Sequence, residues 1–106
     1  MKLELRSKGV RLTENLREHA ERRLRFALGR FGPRVQSVRV RLTDVNGPKG
    51  GEDIQCLVQA RLAPTGTLRI QETHRDPFLA LARVSDRIGF HLARHVERVR
   101  MRRKRR

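Results

Sequence analysis

The last third of the chain, Asp76 to Arg106, reads as one long helix with two unlike faces, so any fold must give that helix a packing partner along most of its length. Asp76 can cap its start, Pro77 fits the first helical position, where no N–H is needed, and no proline follows. At 100° per residue, Leu81, Ala82, Ser85, Ile88, Gly89, Leu92, Ala93, Val96 and Val99 share an arc of roughly 140°, the expected core face. Opposite them Arg83, Arg87, His91, Arg94 and Arg98 share an arc of only about 80°, with Asp86 and Glu97 at its edge. A stripe of guanidinium groups asks for an extended anion. Arg100 to Arg106 give up the periodicity. Residues 100–106 are therefore expected to fray into a basic C-terminal tail, after a domain spanning residues 1–99.

The rest of the chain supplies the partner. Lys2 to Ser7 alternates, Leu3 and Leu5 on one side and Glu4 and Arg6 on the other, which predicts a strand with one buried face. After the Lys8-Gly9 turn, Thr13 is placed as an N-cap for a helix running to about Arg30, with Leu16, Ala20, Leu24, Ala27, Leu28 and Phe31 on its core side. Glu18–Arg22 and Glu21–Arg25 are i,i+4 pairs that support it. Phe26 sits among the bases and is expected to pack on the neighbouring helix rather than stack on a nucleobase. Gly32-Pro33 stops the helix.

Val35 to Thr43, Ile54 to Ala63 and Thr67 to Thr73 alternate as three further strands. Asp44 to Asp53, rich in glycine, joins the first two of these as a long loop without the order of a phosphate-cradling motif. A helix between strands one and two implies a right-handed parallel crossover, and the two hairpins make the remaining pairs antiparallel. The expected fold is an α/β two-layer β-α-β-β-β-α sandwich: a four-stranded sheet with both helices on one face.

Charge narrows the function. Lysine and arginine outnumber acids 26 to 11, for a net charge of +15, a balance that repels itself unless a polyanion screens it. Arginine dominates, and its planar fork favours phosphate. An acidic membrane is the other polyanion, but the apolar arc is needed for a core and the chain has no tryptophan anchor. On the outer sheet face Arg39, Arg41, Arg61 and Arg69 lie among glutamines, a pattern that solvation explains.

Catalysis finds no constellation. His91 and His95 have a zincin spacing, yet Leu92 stands where a glutamate base is needed and no third ligand is evident, so neither a metal nor another cofactor is expected. Ser85 lies on the core arc without a nearby base, and Cys56 sits on the buried parity of its strand. The N-terminus alternates rather than forming a signal-peptide core, and no long apolar run occurs, so a cytoplasmic protein is expected.

Register over the whole chain carries a resemblance. Met1 to Lys8, the helix opening Leu12 to His19, Gly66-Thr67-Leu68 and Asp76 to Leu81 together resemble the bacterial ribosome hibernation-promoting factor family, and Asp44 to Gly51 with Cys56 resembles one branch of it. The resemblance implies a fold similar to double-stranded RNA-binding domains. It also implies binding to ribosomal RNA of the small ribosomal subunit, in the channel used by messenger and transfer RNA, with translation blocked in idle cells. Carried over position by position, the family's basic positions fall on Arg22, Arg23, Arg25 and Arg30 in the first helix and on Arg83, Arg87, His91, Arg94 and Arg98 in the second. Arg102 and Arg103 of the tail extend the candidate RNA-binding set. A short, non-catalytic family form is expected, a monomer off the ribosome with no small-molecule substrate. The alternative from the residues alone is a general nucleic-acid-binding or chaperone protein without ribosome specificity.

Overall fold

A computed structural model describes residues 1–45 and 53–104. The elements run β1 (Lys2–Lys8), α1 (Glu14–Leu28), a 3-10 segment (Gly29–Arg34), β2 (Val35–Asp44), β3 (Ile54–Leu62), β4 (Thr67–His74) and α2 (Pro77–Lys104). The middle of the expected Asp44–Asp53 loop lies outside the described residues. The strands form one sheet in the order β1-β2-β3-β4. β1 pairs parallel with β2 and the other two pairs are antiparallel, as a helical crossover followed by hairpins requires. Both helices lie on one face of the sheet, and the expected two-layer sandwich is what the chain forms.

The core collects Leu16, Ala20, Leu24 and Leu28 from α1, Val38, Val40, Leu42, Cys56, Val58, Ala60 and Ile70 from the strands, and Leu81, Val84, Ile88 and Leu92 from α2. Burial pushes the Cys56 thiol up to about 12, because the thiolate would lose its hydration there. Ser85 is fully buried and its hydroxyl donates to the Leu81 carbonyl at 2.7 Å, the internal partner a hydroxyl inside a helix needs. Thr13 caps α1 by accepting from the Leu16 N–H. Asp76 does the same for α2, accepting from the Phe78 N–H at 2.9 Å. The two helices approach closely where a Cβ on Gly89 would lie 3.3 Å from the Ala27 carbonyl oxygen.

Four local expectations need correction. α1 ends at Leu28 rather than near Arg30, and the chain passes through a 3-10 turn whose Gly32 takes φ 57°, a left-handed conformation that favours glycine. Phe26 does not pack on the neighbouring helix: it is 88% exposed, because α2 approaches α1 at Ala27, a third of a turn away. The core face of α2 is rotated from the expected arc, with Ala80 and Val84 fully buried and Ala82, Ala93, Val96 and Val99 only partly so. The cause is that α2 touches both α1 and the β3–β4 side of the sheet, and Ala80 and Val84 face the second contact. Lastly, α2 does not fray after Val99 but stays helical through Lys104, although Arg100 to Lys104 are all exposed. At 1.5 Å per residue the helix is about 42 Å long, so its last turns run past the core.

Candidate nucleic-acid interface

Three contacts fix how α2 is turned. Arg23 of α1 reaches Asp86 at 3.4 Å, Ala27 meets Gly89, and the ring of His19 lies 5.0 Å from Phe78 with its Nε2 3.0 Å from the Phe78 carbonyl. Asp86, Gly89 and Phe78 therefore mark the α1 side of α2. On the other flank Arg87 donates to the Gln71 carbonyl at 3.0 Å and pairs with Glu72 at 3.1 Å, which places it over β4. The arginine stripe follows that flank, since Arg83, Arg94 and Arg98 share the azimuth of Arg87 within about 40°. All three are exposed, and none has an acidic partner among the described residues. His91 is half-buried beside them, edge-on to the Phe90 ring at 5.9 Å.

The expected basic set therefore does not act as one patch. α2 brings Arg83, Arg94 and Arg98 together in the open, while Arg87 is tied down to the sheet. On α1 the cluster divides. Arg22 is exposed and unpaired among the described residues, Arg23 bridges to Asp86, and Arg25 pairs with Glu21 at 3.1 Å, about 160° round the helix from Arg23. Of the two i,i+4 pairs read from the sequence, Glu21–Arg25 forms and Glu18–Arg22 does not. Arg30 lies in the 3-10 turn, its guanidinium 4.8 Å from the Phe31 ring centroid. Arg102 and Arg103 ride on the projecting end of α2.

Two aromatic residues belong to this surface more than the sequence indicated. Phe90 is 58% exposed with the Arg94 guanidinium 5.7 Å from its ring, and Phe26 is 88% exposed on α1, one turn after Arg22 and Arg23. The cue for Phe90 was its position opposite Ile88 and Leu92 on the helix, where an apolar residue has no core to enter.

Residues 3–100 match the family model described as sigma 54 modulation protein / S30EA ribosomal protein. The chain belongs to that family. Its fold is similar to that of the N-terminal domain of Thermus thermophilus Protein Y, with a TM-score of 0.74 at 22% identity over 90% of this chain and 99% of that one. It is also similar to a ribosomal subunit interface protein from Coxiella burnetii, with a TM-score of 0.75 at 16% identity over 92% and 99% of the two chains. A comparison with curated proteins finds no match.

Proposed function

We propose that this chain is a non-catalytic ribosome-associated factor of the cytoplasm that binds ribosomal RNA in the messenger and transfer RNA channel of the small subunit and thereby inhibits translation. Family membership supports the ribosome as the target, and a Coxiella burnetii protein of the same fold carries the description ribosomal subunit interface protein. The observation that carries the contact surface is the row of exposed guanidinium groups without an acidic partner among the described residues, Arg83, Arg94 and Arg98, along one flank of α2, continued by Arg102 and Arg103. From Arg83 to Arg98 the row spans about 22 Å, and guanidinium groups along one flank contact phosphates without reading base identity. Arg22 adds charge from α1 and Arg30 from the 3-10 turn that follows it. Arg23, Arg25 and Arg87 contribute field, their guanidinium groups being engaged with acids already.

Co-sedimentation with purified small subunits in graded salt tests the reading. With six or more phosphates contacted, the log–log slope of affinity against salt is about −5 or steeper. Arg83→Gln with Arg94→Gln removes two charges from the stripe and no core atom, and binding and translation inhibition are expected to fall by about tenfold or more. The same double change at Arg11 and Arg17, two exposed arginines near the acids of α1, is the control and should cost little. Equal losses from both pairs mean that the protein responds to net charge, which favours a general nucleic-acid binder.

A further inference from the structure

Helices cover one face of the sheet only, so every second residue of each strand looks into solvent on the other face. Among the described residues that open face presents Arg6, Arg39, Arg41, Arg61 and Arg69 against a single acid, Glu4. From the sequence this is an ordinary solvated surface. Register changes the reading, because Arg6 of β1 lies directly opposite Arg41 of β2, and like charges in direct cross-strand pairs are destabilising. The central acid serves the neighbouring residues instead: Glu4 pairs with Arg6 at 2.6 Å and with Arg39 at 3.5 Å. A hydrogen bond from Arg6 and the charge of Arg6 hold the Glu4 carboxyl below its ordinary value. Arg41 and Arg69 have no acidic partner among the described residues.

These side chains frame a concavity. A depression of about 430 Å³ lies between Glu4, Arg6, Arg39, Arg41 and Arg69. A second, of about 250 Å³, adjoins it at Arg39 and Gln59 and extends to Arg61. Together they make an open trough reaching from β1 to β4, about 14 Å across at the spacing of sheet strands. Its floor is polar apart from Val40 and Leu57, and Gln59 adds neutral hydrogen-bonding capacity between arginines. A bilayer would want several aromatic or apolar anchors here, and among the described lining residues only Val40 and the half-buried Leu57 are apolar. A sugar-phosphate backbone wants planar cationic forks with neutral donors between them, which is what the trough offers.

We propose that the open face of the sheet is a second RNA-backbone site, in which phosphate displaces Glu4 from Arg6 and Arg39, so that the protein joins two RNA segments on opposite sides of the sandwich. The assignment of RNA as occupant rests on the proposed function above. The geometry of the site does not. Because the helix stripe and the trough lie in different layers, a single short duplex reaches one or the other, and occupancy of both bridges two duplexes. Glu4 is an internal counter-ion: it keeps adjacent guanidinium groups tolerable in the free protein and weakens the site for phosphate.

The test uses the full chain, small subunits and two short RNA duplexes, one immobilised and one labelled. Wild-type protein is expected to retain the labelled duplex on the immobilised one. Arg39→Gln with Arg41→Gln should abolish that retention while single-duplex binding survives, and should weaken small-subunit binding about fivefold or more, with a salt slope shallower by about 2. Glu4→Gln should do the opposite, raising affinity several-fold, and circular dichroism melting checks that all variants fold. A double variant that bridges and binds like wild type overturns the proposal, as does a Glu4→Gln protein that binds less tightly. Binding of phosphatidylserine vesicles through Arg39 and Arg41, without any effect of these changes on RNA, overturns it in favour of a membrane. If Arg83→Gln with Arg94→Gln leaves small-subunit binding intact while the sheet variant loses it, the helix-stripe reading fails and the sheet site stands. If neither variant alters small-subunit binding but the sheet variant alone loses bridging, the ribosomal reading fails and the sheet site again stands.

Discussion

The helix layer and the sheet layer are both rich in arginine, yet they use it differently. In the helix layer three of the arginines double as fasteners: Arg23–Asp86 joins α1 to α2, Glu21–Arg25 braces α1, and Arg87–Glu72 ties α2 to β4. Exposed pairs of this kind are worth a few tenths of a kcal/mol each, so they adjust helix position rather than hold the fold together. On the open face of the sheet one acid serves two arginines, and their neighbours Arg41 and Arg69 have no acidic partner among the described residues. A helix can turn a long side chain toward a partner on another element, whereas a strand fixes its residues in rows decided by register. Charge changes on the helices therefore mix packing with binding, and charge changes on the sheet report on binding more cleanly.

The largest expected effect separates the two faces of the same sandwich. Leu24 is completely buried between α1 and the sheet, and Leu24→Ala should cost about 3 kcal/mol in chemical denaturation. Leu57, half-buried on the open face, should cost less than about 1 kcal/mol on the same change. Comparable losses would mean that the open face is packed against something, and the contrast between layers would fail. A smaller effect is expected for the fastener between layers. A double-mutant cycle on Arg87→Gln and Glu72→Gln should give a coupling of about 0.5 kcal/mol, the two side chains being 47% and 27% exposed. A coupling near zero would return Arg87 to the free stripe. The smallest effect concerns stability at the end of α2. Replacing Arg102 and Arg103 with glutamine should leave the melting temperature within about 1 °C, since neither touches the core, while making the salt slope of RNA binding shallower by up to about 2.

Much of this was legible beforehand because period is a local property. Val38, Val40 and Leu42 inward with Arg39 and Arg41 outward follow from the two-residue repeat of a strand, and the placement of β2 on the sheet cannot change it. Thr13 and Asp76 marked the helix starts through chemistry within three residues of themselves. The α2 core arc depends on more than local period. Ala80 and Val84 are as apolar as the residues on the expected arc, and only contact with the sheet on one flank and α1 on the other decides which of them is covered. The exposure of Phe26 has the same origin, since a helical wheel gives the angle between Phe26 and Ala27 but not which of them meets α2.

By itself, then, the sequence determined the element order, the inward and outward parity of each strand, the existence of a cationic flank on the last helix and the charge that requires a polyanion. It did so because backbone sterics and side-chain periodicity act over one or two turns. Tertiary structure decided which rows coincide: Arg6 beside Arg41, Glu4 between Arg6 and Arg39, Arg87 against Glu72, and Arg23 across to Asp86. Register and helix azimuth are set by how whole faces bury against one another. Shifting a strand by two residues preserves every local pattern and replaces every neighbour.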